Sequence, residues 1–235
     1  MRVGIMQPYF FPYIGYFSLI KHTDMFILFD TAQFIRHGWI ERNRIIKPSG
    51  GWQYFSAPIM KHSQKTEIRD IRINNGVEWK IKIKSQMVHY KKAPYYDKTM
   101  EILNSALEIE CDDIVHLDHH ALQTICGYLA IETPISVFSQ MGLEIEEVNS
   151  PDEWALNICK ALNGVDEYWN PPGGKSFFDV SKYEKQGINI KFLEAKIRKY
   201  SQNNNTFEGG LSIIDVMMYN SVDEINSMLD DYAFC

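Results

Sequence analysis

Residues 2–30 read RVGIMQPYFFPYIGYFSLIKHTDMFILFD. The apolar run Val3 to Met6 predicts a buried strand, and Met25 to Phe29 predicts a second. Between them Gln7-Pro8 stops the first strand, Pro12 and Gly15 mark a loop, and Tyr16 to Ile20 opens a helix. Two continuous apolar strands joined by a helical crossover form a βαβ unit, whose strands lie parallel. The expected fold class is therefore α/β: a Rossmann-like, mostly parallel sheet.

Further along, residues 31–50 are polar and basic and predict a loop, closed by a turn at Gly50-Gly51. Trp52 to Ile59 predicts a third strand, and the alternation IRDIRI from Ile68 to Ile73 predicts an exposed edge strand. Trp79 to Tyr90, Tyr95 to Leu107 and Ile114 to Leu129 carry apolar residues at three- and four-residue spacing, which predicts an inserted helical section at about 77–130. Ile135 to Phe138, Val165 to Trp169 and Ile188 to Leu193 predict more strands. Glu153 to Ala161 predicts a helix capped by Ser150 with Pro151 in its first position. Lys182 to Gln186 is a short helical piece, Ser201 to Gly210 a polar loop, and Ser212 to Tyr219 and Val222 to Leu229 are closing helices. No repeat or charge-rich linker divides residues 1–235, so one domain is expected.

With 45% apolar and 23% charged residues the composition is globular rather than disordered. The net charge of −6 does not invite nucleic acid over the average surface, although a local basic patch would. Cys111, Cys126, Cys159 and Cys235 form no C-x-x-C pair and have no metal-ligand spacing, which suits a reducing, cytoplasmic setting. The apolar N-terminus is interrupted by prolines and polar positions and lacks a small-residue cleavage site. No uninterrupted apolar stretch reaches spanning length, so no membrane partner is expected.

Four stretches could carry chemistry. In the first, Gln7, Pro8, Tyr9, Tyr13, Gly15 and Tyr16 stand where a strand ends and a helix begins, the place where open α/β sheets bind ligands. Gly15 would let a phosphate or base approach the backbone, whereas Phe10, Phe11 and Phe17 suit the core. The second, DTAQFIRHGWIERNRIIK at 30–47, puts Asp30 at the same sheet edge, with Gln33, His37 and Trp39 behind it. Arg42, Asn43, Arg44 and Lys47 supply cation density for phosphate or carboxylate. The third, NPPGGKSFFD at 170–179, offers Gly174, Lys175 and Ser176 to a phosphate, but Trp169 stands where a P-loop needs its first glycine. In the fourth, FEGGLSIIDVMMYN at 207–220, Ser212 and Asp215 have capping-box spacing, with a binding role as the alternative. His116, His119 and His120, with Asp112, Asp113 and Asp118, read as a solvated polar face; H-E-x-x-H is absent and no metal site is expected. No G-x-S-x-G elbow or other covalent nucleophile is evident.

VGIMQPYFFPYIGYF followed by FDTAQFIRHGWIERNRI resembles the WbqC-like protein family, supported by APYY at 93–96 and by FEGGLSIIDVMMYN. The likeness covers nearly the whole chain and departs from a Ser-Gly-like turn at Asn170 to Gly174. These are bacterial proteins often encoded among O-antigen and other surface-polysaccharide (lipopolysaccharide biosynthesis) genes. The resemblance implies modification of a nucleotide-linked amino sugar, such as attachment of a glycyl or similar acyl group to its amine. A fainter likeness is to nucleotidyltransferase-like α/β enzymes such as pantothenate synthetase: Tyr13-x-Gly15-Tyr16 stands at its His-x-Gly-His, and Phe29 to Phe34 at its substrate-binding strand end. That enzyme makes an amide through an acyl-adenylate, but phenols lack the imidazolium charge.

The leading expectation is an amide-forming acyl- or aminoacyltransferase acting on a dTDP- or UDP-linked amino sugar. Asp30 or His37 would accept the amine proton, Tyr13 and Tyr16 would hold the reacting groups, and Arg42, Arg44 and Lys47 would hold the diphosphate. ATP, acyl-CoA and aminoacyl-tRNA are candidate donors. The alternatives are a tRNA- or RNA-binding module using Trp39 and Trp52, and a non-catalytic partner of sugar-modifying enzymes. A homodimer is compatible with all three.

Overall fold

The computed structural model describes residues 1–202 and 206–235. In chain order its elements are β1 (Arg2–Met6), α1 (Ile14–His22), β2 (Met25–Leu28), β3 (Arg42–Ile46), β4 (Trp52–Ser56), α2 (Trp79–Gln86), α3 (Tyr96–Leu107), α4 (Ile114–Tyr128), β5 (Ile135–Val137), α5 (Glu153–Leu162), β6 (Glu167–Asn170), α6 (Val180–Glu184), β7 (Asn189–Ala195), α7 (Ile213–Tyr219), α8 (Val222–Leu229) and β8 (Tyr232–Phe234). The main sheet runs β5-β2-β1-β6-β7-β8. Its first five strands are parallel, with Val3 beside Met25 and Gly4 beside Trp169, and β8 closes one edge antiparallel to β7. This is the doubly wound order: the chain fills one side of β1, then crosses to fill the other, and the reversal lies between β1 and β6. The Rossmann-like α/β expectation holds.

The apolar strands are continuous because the sheet is covered on both faces. Along β1 and β2, Val3, Ile5 and Ile27 join a cluster with Leu156, Ile158 and Cys159 of α5 and with Tyr183. Phe26 and Leu28 join the larger cluster with α1, α4, α7 and α8. The two-residue alternation of a strand sorts these side chains between the layers. The helical section contributes Ile83, Leu103, Leu117 and Ile125 to that larger cluster.

Several expectations are corrected. The basic stretch 31–50 is not all loop: β3 pairs antiparallel with β4 as a separate two-stranded sheet, with Arg44 opposite Tyr54. Asn43, Ile45 and Phe55 turn inward while the arginines keep to the outer face, which hides the alternation in RNRII. The turn is as expected, since Gly50 and Gly51 both have positive φ. Ile68 to Ile73 is no exposed edge strand. Ile68–Asp70 is a 3-10 turn, and Ile68, Ile71 and Ile73 are all buried. Helix α5 starts at Glu153 after Asp152, and Ser150 instead donates its hydroxyl to Asp152. Strand β8 was too short to read. Of the expected loop Ser201 to Gly210, residues 203–205 lie outside the described residues. No helix of the described residues is long and apolar enough to cross a membrane.

Ser212 does cap α7, accepting from the Ile214 amide, but Asp215 completes no box. It is buried and accepts from Tyr90 Oη at 2.5 Å, Tyr200 Oη at 2.6 Å and Gln202 Nε2 at 2.8 Å. Tyr90 Oη also accepts from the Ile46 amide, so this carboxylate ties α7 to the helical section and to β3. Asp118 is the opposite case. It lies in the core, not on a solvated face, and neither carboxylate oxygen has a partner among the described residues. Burial, then the nearby Glu41 and Asp113 carboxylates, push its pKa well above the usual range.

Asp215→Ala strands three donors and is expected to cost on the order of 3 kcal/mol, read from urea unfolding. For Asp118 the folded pKa exceeds the unfolded one, so its contribution is full when protonated and is lost as pH rises through the folded value. Asp118→Asn should therefore raise Tm at neutral pH, by an amount that shrinks as pH falls toward the unfolded carboxyl range. A pH-independent difference in paired thermal scans would refute this.

Candidate functional site: a two-lobed cleft at the strand reversal

The cleft is built by a loop that has no strand to pair with. Beyond β1 the backbone of residues 7–13 is largely buried, so its polar groups need partners elsewhere. The Phe10 amide donates to the Trp39 carbonyl at 2.8 Å, and Asn43 Nδ2 donates to the Phe10 carbonyl at 3.0 Å. Ser212 Oγ donates to the Phe11 carbonyl at 2.7 Å, and the Ile213 amide to that of Pro12 at 2.8 Å. The Ser212 amide in turn donates to the Arg44 carbonyl at 2.9 Å. The opening loop, β3 and the start of α7 thus converge at the carboxyl ends of β1 and β6.

Two lobes open there. The first, of about 610 Å³, is lined by Met6, Tyr9, Pro12, Tyr13, Trp39, Asn43, Arg44, Gly210 and the turn Asn170 to Gly174. The second, of about 840 Å³, is lined by Ile5, Met6, Gln7, Tyr9, Asn170, Phe29, Thr31, Ala32, Gln33, Ile35, Pro151, Trp154, Ala155, Tyr168, Phe177 and Phe178. Met6, Tyr9 and Asn170 belong to both and form the waist. Among the described residues, Arg44 is the sole charged residue lining either lobe. Its guanidinium lies 5.1 Å from the ring centres of both Trp39 and Trp52, and one nitrogen donates to the Gly210 carbonyl at 3.2 Å. Its Nε has no partner, and no carboxylate pairs with it among the described residues.

At the waist, Asn170 Nδ2 donates to Tyr168 Oη at 2.6 Å. Gly174 packs so closely that a β-carbon would sit 2.5 Å from Asn170 Oδ1 and 2.8 Å from the Phe178 ring. Burial raises the Tyr9 phenol's pKa, with Tyr13 adding to it, and burial raises Tyr13's as well. Both phenols are hydrogen-bond donors at neutral pH, not bases.

Of the residues singled out in the sequence, Gln7, Tyr9, Tyr13, Gln33, Trp39, Asn43, Arg44 and Gly174 line the cleft. Others lie elsewhere. Tyr16 is buried beneath it, with its phenol on the Gln7 carbonyl at 2.8 Å. Pro8 is buried, and Gly15 lies under the Tyr13 ring, which covers the backbone a phosphate would have approached. Asp30 is buried with its oxygens on the Ser139 amide at 3.0 Å and hydroxyl at 2.5 Å. His37 is exposed at positive φ, where its carbonyl accepts from Arg42. Arg42 and Lys47 stay on the hairpin, and Lys175 and Ser176 point to no lobe. Burial pushes Cys126 and Cys159 up to about 12, far from thiolate chemistry.

The second lobe's aromatic wall was missed, because Trp154, Tyr168 and Phe178 come from three separated segments whose apolar character reads as core. Asn170 carried one signal, a polar residue closing a strand just before a Pro- and Gly-rich turn. Gly174→Ala should force the Pro172–Gly174 turn off Asn170 and weaken ligand binding by about tenfold, with Tm nearly unchanged, as read by calorimetry beside a thermal scan.

The WbqC-like protein family model matches residues 7–227. The chain is also 28% identical over 220 residues to Uncharacterized protein Rv1507c of Mycobacterium tuberculosis, covering 92% of each chain. No solved structure matches. The family match runs from the opening loop through the hairpin and the late turn to α8, so the cleft lies wholly within it, and the chain belongs to the WbqC-like protein family.

Proposed function

We propose that the chain is an amide-forming transferase that acylates the amine of a nucleotide-linked amino sugar in surface-polysaccharide biosynthesis. The observation that carries this reading is the pair of adjoining lobes meeting at Tyr9 and Asn170, one lined by a single cation and the other by no charged group among the described residues. Two lobes with a common waist suit two substrates brought together for transfer. Arg44 beside the Pro172–Gly174 turn suits a diphosphate, and Trp39 a stacked ring. Gln7, Gln33 and Asn170 among aromatic walls suit a neutral, hydroxyl- and amide-bearing group.

The residues also bear on the chemistry. No imidazole or carboxylate lines either lobe among the described residues, so the amine must arrive neutral. It attacks the acyl carbon, the C–N bond forms, the ester or thioester bond breaks, and the leaving oxygen or sulfur takes the amine's proton. Tyr9, Tyr13 and the Asn170 amide supply hydrogen bonds to the oxyanion formed on the way. One arginine is a poor match for a triphosphate, so a pre-activated acyl-CoA or aminoacyl-tRNA fits better than ATP with a free acid.

Purified protein incubated with a dTDP- or UDP-linked amino sugar and each donor, followed by mass spectrometry, tests this. Product with a thioester or aminoacyl ester is expected, and product only with ATP would overturn the choice of donor. Failure of any nucleotide-linked sugar to bind would overturn the reading itself. Arg44→Ala should weaken sugar-nucleotide binding by roughly 10–100-fold. Tyr9→Phe should lower kcat by about 10–100-fold. The rate should rise with pH along the substrate amine's own titration, with no enzyme base near neutrality.

A further inference from the structure

Outside the cleft, the hairpin presents a second surface that the transferase reading does not use. Inward-facing Asn43, Ile45 and Phe55 leave the opposite face to Arg42, Trp52 and Tyr54. Trp52 is 39% and Tyr54 38% exposed, and their rings lie 5.0 Å apart. The Arg42 guanidinium covers Tyr54 at 4.0 Å from the ring centre, held there by the His37 and Gly38 carbonyls. Lys47 stands at the turn, its amide on the Gly51 carbonyl. Helix α2 packs along β4, with Gln86 Nε2 donating to the Tyr54 carbonyl at 2.9 Å. Exposed Lys82 lies one turn before Gln86, on the same side of α2. Among the described residues none of Arg42, Lys47 or Lys82 pairs with a carboxylate, in a chain with six more acidic than basic residues.

We propose that this surface binds single-stranded nucleic acid. Unpaired cations flanking exposed rings match the two things an unpaired strand offers, a charged backbone and free base faces. A duplex hides its bases and could use only the cations. An arginine laid flat on a ring extends the platform, since bases stack on guanidinium planes as well as on aromatics. The surface adjoins the first lobe through Trp52, which shares Arg44 with Trp39, so a strand seated on it ends near the cleft mouth. The proposal stands apart from the amide-forming reading, because its test contains no sugar and no acyl donor.

The test is a titration of the full chain with a fluorescein-labelled single-stranded oligoribonucleotide of about 12 nucleotides, and with its duplex. The expected result is binding that quenches tryptophan fluorescence and weakens linearly in log salt. Trp52→Ala with Tyr54→Ala should weaken it by about tenfold or more. Lys82→Gln should lower the salt slope by about one and leave the quench intact. Circular dichroism and thermal melting check that each variant is folded. No binding at low salt, equal binding of the duplex without quench, or indifference to the double aromatic substitution would overturn the proposal. So would phosphatidylglycerol vesicles capturing the chain through these residues in place of the oligonucleotide.

Discussion

A loop that leaves water takes its amide and carbonyl groups with it, and each must find a partner inside the protein. Residues 7–13 impose that condition on the rest of this chain. The β3–β4 hairpin and the segment leading into it meet it from one side through Asn43 and Trp39, and the start of α7 meets it from the other through Ser212 and Ile213. The hairpin and α7 are in turn joined by the Ser212 amide on the Arg44 carbonyl and, deeper, by Asp215 with Tyr90. Parts of the chain two hundred residues apart are held together by the hydrogen-bonding needs of a seven-residue loop, and the cleft is the space they enclose at the sheet's reversal.

The two buried aspartates show how much the surroundings decide. Asp215 is buried among three donors that favour its charge, although desolvation still raises its pKa. Asp118 has no donor among the described residues and faces other acids, so the fold holds it against its charged form. The first carboxylate organises its neighbours, whereas the second is a strain the core tolerates.

The parallel sheet was legible because strands buried on both faces spell uninterrupted apolar runs, as Val3 to Met6 and Met25 to Leu28 do. The helical section was legible for the same kind of reason, a three- and four-residue period under one covered face. The hairpin was not. In RNRII the inward residue is an asparagine chosen for a loop carbonyl, and the outward ones are arginines resting on rings that come later in the chain. Charge and periodicity, read locally, point there to a loop. At the site, Gln7, Tyr13 and Arg44 could be picked out because polar residues at strand ends are conspicuous. Asp30 stands out on the same ground, yet its carboxylate is taken up by Ser139, a partner that only the folded chain brings near. The aromatic wall of the second lobe lies beyond any local reading, for a tryptophan lining a cavity and one filling a core look alike in one dimension.

The waist has a thermodynamic consequence. Met6, Tyr9 and Asn170 are wall to both lobes, so a molecule that settles one of these side chains alters the room its neighbour will meet. Reciprocity requires that whatever factor the first occupant contributes to the affinity of the second, the second returns to the first. With no spacer between the chambers, order of addition and cooperativity become properties of three side chains rather than of any domain movement.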